Sequence, residues 1–159
     1  MKKFIAAACI AMLCLVGCAK QDGQTTENAY VVSGVTLVPG INFTQIKDSL
    51  PEPVKYQEAA SCYFDGLDKV FTYDTYEVRT YPVSDSEDNI QDICVTGGDV
   101  KTDKGIGIGS TLSEVLKAYG DDYTLTGKMY RYYYDGAKYV YFFILDDAVK
   151  YYGYAMDVE

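Results

Sequence analysis

The chain has 159 residues, 48% of them hydrophobic and 23% charged, which is the composition of one folded domain or of two small units sharing a core, not of a disordered chain. Its 23 acidic residues against 14 basic ones, a formal charge of −9, argue against a basic face for nucleic acid or anionic lipid. Histidine is absent, which removes the commonest general base, the commonest metal ligand and every Ser-His or Cys-His nucleophile pair.

Met1-Lys2-Lys3 is a short positive head, and Phe4 to Val16 is an apolar run of 13 residues. A membrane-spanning helix needs roughly 20 such residues, so residues 1–17 read as a secretory signal. The run ends in Leu15-Val16-Gly17-Cys18, which resembles the lipobox of bacterial lipoproteins. That resemblance implies a diacylglycerol group on Cys18 and cleavage just before it. The polar stretch Ala19 to Asn28 suits a tether, and residues 18–34 are expected to form the lipidated N-terminus and flexible linker. Two or three acyl chains, at about 0.8 kcal/mol per buried CH₂, would hold the domain at the cell membrane on its extracytoplasmic side. Removing Lys2 and Lys3 from the 14 basic residues leaves 12 against 23 acidic ones, a formal −11 for the processed chain.

Cys9 and Cys14 leave with the signal and Cys18 is consumed by lipid, so Cys62 and Cys94 are the candidates for a disulfide. Oxidising surroundings permit one. Against it, Cys94 is out of phase with Ile93 and Val95, which suggests the outer face of a strand.

Two helices are expected. Asn42 as cap, with Gln45 three residues on and Phe43, Ile46 and Leu50 as the apolar stripe, predicts a first helix ending at Pro51. Thr111 and Glu114 form a capping-box pattern, Leu112, Val115, Leu116 and Tyr119 keep helical spacing, and Gly120 stands where the helix should stop. After the first helix, strands are expected at Ala60 to Phe64, Lys69 to Tyr73, Tyr76 to Tyr81 and Ile90 to Thr96. After the second they are expected at Tyr123 to Leu125, Met129 to Tyr134, Tyr139 to Leu145 and Ala148 to Met156. Ile90, Ile93 and Val95 share with Val149, Tyr152 and Tyr154 a spacing of three then two, which points to a bulge at the same place in each last strand. The fold class expected is therefore α+β: two tandem repeats of a short helix followed by an antiparallel β-meander, in residues 35–98 and 99–159, with both helices on one face of the sheet. Alternation sends Val140, Phe142 and Ile144 to one face and Tyr139, Tyr141 and Phe143 to the other.

The run Gly105-Ile106-Gly107-Ile108-Gly109-Ser110-Thr111 with the helix ending at Tyr119-Gly120 resembles a signature of small lipoproteins that share the fold of beta-lactamase inhibitor protein and of the small lipoprotein of the outer-membrane barrel-assembly machinery. Ser61-Cys62-Tyr63-Phe64-Asp65-Gly66-Leu67-Asp68-Lys69 with Phe71-Thr72-Tyr73 is similar to a segment of small lipoproteins of Firmicutes. These patterns cover most of Pro39 to Met156. The resemblance implies a tandem-repeat fold outside the cytoplasm and a non-catalytic scaffold that binds protein. No stretch matches the inhibitor's enzyme-contacting loops, so inhibition of a lactamase is not implied, and no binding residue is carried over.

Chemistry-bearing motifs are sparse. Gly105 to Gly109 lacks both the spacing and the strand-helix-strand context of a phosphate loop, and reads as a tight lead into the second helix. Asp85-Ser86-Glu87-Asp88-Asn89 concentrates oxygen ligands but does not match a calcium loop, and reads as a solvated hairpin tip. Scattered carboxylates leave a hydrolase without an identifiable acid pair. No cofactor, metal or catalytic residue is expected. The 17 tyrosines stand out, and Tyr130, Tyr132, Tyr139 and Tyr141 are the candidates for a partner-binding face. The expected function is a membrane-anchored, non-enzymatic module that binds another envelope protein, with a cell-wall or carbohydrate-binding module as the alternative. Neither nucleic acid nor a fixed oligomeric state is implied, and a monomer is favoured.

Overall fold

The computed structural model describes residues 25–158; the signal segment 1–17 and Cys18 lie outside the described residues. The chain opens with β1 (Thr25–Thr26), β2 (Ala29–Val32) and β3 (Val35–Leu37), a small antiparallel sheet. Residues 25–34, expected to belong to the tether, form two strands and two turns. Ser33 and Gly34, both at positive φ, make the two-residue turn that joins β2 to β3, and Tyr30 and Leu37 are buried beneath it.

Then follow a 3-10 turn (Lys47–Ser49), β4 (Lys55–Ala60), β5 (Leu67–Thr72), β6 (Tyr76–Ser84), β7 (Glu87–Val95), helix α1 (Leu112–Tyr119), β8 (Thr124–Thr126), β9 (Met129–Asp135), β10 (Lys138–Leu145) and β11 (Ala148–Met156). The last eight strands form one antiparallel sheet in the order β4-β5-β6-β7-β11-β10-β9-β8.

This corrects the expected α+β architecture. The described residues are mostly β, 51% strand and 8% helical, with a single α-helix and a large antiparallel sheet of eight strands rather than two helix-plus-meander repeats. The first helix fails for a local reason. Asn42 does accept from the Gln45 backbone N–H at 3.3 Å, but Leu50, placed before Pro51, is extended at ψ 161°, and only one 3-10 turn fits between them. α1 forms as expected, because Thr111 and Glu114 close a complete capping box. The first large-sheet strand also lies earlier than expected, at Lys55–Ala60, while residues 61–66 form the loop to β5.

β7 and β11, the last strands of the two halves of the sheet, pair with each other and close it into one surface. Each carries a bulge: Asp92 and Ile90 are paired but Gln91 is not, and Tyr151 and Val149 are paired but Lys150 is not. The bulge advances the side-chain phase by one residue, which is why the buried positions fall three and then two apart. Ile90 is bonded to the Gly40-Ile41 backbone and Val149 to the Gly109-Ser110 backbone, each through one N–H and one carbonyl at 2.7–2.9 Å. Gly40 and Gly109 sit at φ 88° and 87°, where a side chain would be strained.

The core lies on one face of the large sheet. Val78, Ile90, Ile93, Val95, Val140, Phe142, Tyr152 and Tyr154 pack there against Tyr30 and Leu37 of the small sheet, Phe43 before the 3-10 turn and Val115 of α1. Aromatic contacts stitch the layers, Tyr119 of α1 lying 4.9 Å from Phe142 and Phe43 lying 4.7 Å from Phe71. A second, smaller cluster of buried residues occupies the opposite face: Cys94, Tyr139, Tyr141 and Ala155.

Candidate binding site

That opposite face is built in rows across the strands. Arg131, Tyr141, Gly153, Cys94, Glu77 and Thr72 are successive Cα partners from β9 to β5. The neighbouring row is Tyr133, Tyr139, Ala155, Asp92, Arg79 and Val70. Small residues hold the middle, Gly153, Ala155 and Cys94, with large ones on either side. The result is an open hollow of about 510 Å³ lined by Arg79, Asp92, Met129, Arg131, Tyr139, Tyr141 and Tyr151 among others.

Gly153 shapes the floor. A Cβ there would lie 2.3 Å from the Ile93 carbonyl oxygen and 2.6 Å from Tyr141 Oη, so only glycine lets the phenol of Tyr141 lie across β11. The hydroxyl of Tyr141 donates to Asp92 Oδ1 at 2.9 Å. Arg79 donates from Nη1 to Asp92 Oδ2 at 3.1 Å and from Nη2 to Glu77 Oε2 at 3.2 Å. Burial pushes the Asp92 carboxyl up to about 6, overriding the Arg79 charge and the Tyr141 hydroxyl, which pull it down. Burial likewise pushes the Cys94 thiol up to about 11, so it stays protonated at neutral pH.

Arg131 differs from Arg79. Among the described residues it forms no ion pair, its Nε is buried without a hydrogen-bond acceptor, and its guanidinium carbon stands 5.2 Å from the centre of the Tyr139 ring. Both acidic side chains that line the hollow, Glu77 and Asp92, are bonded to Arg79.

The four tyrosines expected on one partner-binding face are divided between two. Tyr139 and Tyr141 line the hollow, at 8% and 4% exposed, whereas Tyr132 pairs with Val140 and is buried in the main core, and Tyr130 pairs with Phe142 and packs against that core. Tyr132 bonds the Gly120 carbonyl at the end of α1, at 3.2 Å. Nor does the structure bring Cys62 and Cys94 together; both thiols are free. Cys94 is aligned through Glu77 and Thr72 with Lys55, at one end of β4, while Cys62 lies beyond Ala60 at its other end. Five residues of strand at about 3.3 Å each separate those ends, far beyond the roughly 7 Å Cα separation a disulfide tolerates.

At the tip between β6 and β7, Asp85, Ser86 and Glu87 are exposed, but Asp88 turns inward to Lys69 Nζ at 2.7 Å. Among the described residues no group of three or more Cys, Asp or Glu side chains is arranged to hold a metal ion. Arg79, Asp92, Met129 and Arg131 were not singled out in the sequence. The alternation of Glu77 and Arg79 with Tyr76 and Val78, and of Asp92 and Cys94 with Ile93 and Val95, is the signal that places Arg79 and Asp92, together with Glu77 and Cys94, on the face opposite the core.

Compared with protein-family models, with curated proteins and with solved structures, the chain matches none.

Proposed function

We propose that this chain is a non-catalytic envelope lipoprotein, anchored through acyl chains on Cys18, that binds a partner protein in the hollow of its open sheet face. The observation that carries the reading is the composition of that hollow: tyrosine, methionine and arginine over a floor of small residues, on the face opposite the helix and the small sheet. These are the side chains enriched where proteins meet. No group in the hollow is poised as a nucleophile: the Cys94 thiol is protonated and both oxygens of Asp92 are engaged. A protein is favoured over a sugar because Phe143 stacks on Tyr151 at 4.7 Å and 4°, which covers one face of the Tyr151 ring.

The test is photo-cross-linking in intact cells, with a benzophenone amino acid at Tyr151 in the hollow or at Tyr63, which is 73% exposed on the β4–β5 loop. Discrete adducts from position 151 and none from position 63 are expected. Adducts from 63 alone, or binding to isolated peptidoglycan that competes with them, would refute the assignment. For the anchor, Cys18→Ala should accumulate as an unprocessed precursor, and normal maturation of that variant would rule out lipidation there.

A further inference from the structure

The hollow's charged side chains are equal in number, Glu77 and Asp92 against Arg79 and Arg131, but both acids are held by Arg79, and the position of the other arginine indicates what the partner must carry. Arg79 is spoken for, its two terminal nitrogens held by Glu77 and Asp92. Arg131 lines the same hollow with no carboxylate attached among the described residues, in a protein whose acidic residues outnumber its basic ones by 23 to 14. With both acidic side chains of the hollow held by Arg79, Arg131 offers the seat for a carboxylate from outside. The Tyr139 ring, 5.2 Å from the guanidinium carbon, restrains the side chain, so little freedom is lost when a carboxylate docks. Met129 and Tyr151 supply apolar area beside it.

We propose that Arg131 is the anchor for an acidic side chain, Asp or Glu, presented by the partner protein among apolar neighbours. The inference rests on the partner-binding reading above and specifies the chemistry of the partner. An acidic side chain suits the site better than a chain end. Capture of a terminal carboxylate uses free backbone N–H groups, and on the face of a sheet those groups are committed to the strand ladder. Arg131 provides what a side-chain carboxylate needs, a planar fork of donors whose buried Nε–H has no acceptor among the described residues.

Two experiments test it. In the first, NMR of the folded protein follows the Arg131 Nε–H and Met129 methyl signals during titration with three peptides: acetyl-Leu-Glu-Leu-amide, acetyl-Leu-Gln-Leu-amide, and acetyl-Leu-Gln-Leu with a free terminal carboxylate. The glutamate peptide should move both signals and bind about tenfold more tightly than the other two. Arg131→Gln should erase that preference, with Met129 still reporting the fold, and Arg131→Lys should keep part of it. Equal binding of the glutamate and glutamine peptides, an absence of any glutamate-dependent shift, or a preference for the free terminus overturns the proposal. In the second, the position-151 cross-link is repeated in Arg131→Gln and Arg131→Lys protein. Loss of the adduct in the first and recovery in the second supports the anchor. An undiminished adduct in Arg131→Gln overturns the anchor while leaving the partner-binding reading intact, and no adduct in the parent protein removes both.

Discussion

The phenol of Tyr141 crosses above Gly153 on the neighbouring strand and donates to Asp92 one strand further on. The glycine is therefore a spacing device between β10 and β7, and it occupies the seam where the two halves of the sheet meet. Gly153→Ala would press a methyl against the Ile93 carbonyl at 2.3 Å, and backbone cannot yield as a flexible side-chain tip does. A loss of about 2–3 kcal/mol is expected, at the high end for overpacking, because the clash sits in the β7–β11 ladder. Urea unfolding of the variant measures it; a loss below 0.5 kcal/mol, the ordinary scale of a surface change, would contradict the packing described.

How much of this was legible depends on whether the signal is local. α1 was legible because its cap, stripe and stop all lie within ten residues, Thr111 to Gly120. The bulges of β7 and β11 could be read from the spacing of Ile90, Ile93 and Val95 because burial on one face enforces phase. β4 was not legible: Lys-Tyr-Gln-Glu-Ala-Ala is exposed on both faces, and it is strand only because β5 pairs with it. β2, Ala29-Tyr30-Val31-Val32, was hidden by its shortness beside the polar stretch before it, and its Tyr30 finds its burial against Tyr76, 46 positions away, with ring centres 5.1 Å apart. In the site, Tyr139 and Tyr141 were placed by alternation. Tyr132, Tyr133 and Tyr134 run consecutively, so composition does not say which of them faces the core; the pairing of Tyr132 with Val140 decides it. The Arg79–Asp92 pair depends on register across a bulge, which no local pattern encodes.

The two cysteines should differ sharply in reactivity. Cys62 is exposed in the loop after β4, whereas Cys94 is 5% exposed between Tyr141 and the strand seam, its thiol pushed up to about 11 by burial. Alkylation of the native protein at neutral pH, followed by peptide mapping, should label Cys62 quickly and Cys94 only after denaturant is added. Comparable labelling of both, or a peptide in which they are joined, would contradict the structure.

The helix cap is a separable contribution. Thr111 Oγ1 accepts from the Glu114 backbone N–H at 3.2 Å, and Glu114 Oε2 accepts from the Thr111 N–H at 2.7 Å. Thr111→Ala should cost about 1 kcal/mol, typical of a lost N-cap. Because α1 covers only one end of the sheet, the hollow should be untouched, and peptide binding at Arg131 should be unchanged in the same variant.

Asp92 makes stability depend on pH in a direction opposite to that of most salt-bridged carboxylates. Its folded value of about 6 lies above the ordinary 3.8, burial outweighing its two partners, so the folded state prefers the protonated form. The stabilisation from proton uptake is therefore complete below pH 3.8 and is lost as the pH rises through about 6. Asp92→Asn resembles the protonated form at every pH. The remaining acidic groups are common to both proteins and largely cancel in the difference between them. The unfolding free energy of the variant relative to the parent should rise by about 2–3 kcal/mol between pH 3.8 and pH 7, most of it before the pH exceeds 6. Arg79 is 48% exposed at its side chain, so it can turn to water and to Glu77 when the carboxylate is removed, and it does not offset the gain. Urea unfolding of both proteins across that range measures the difference. A flat difference would mean that the Arg79 pair only cancels burial, and a falling one would mean that it outweighs burial and holds Asp92 below 3.8.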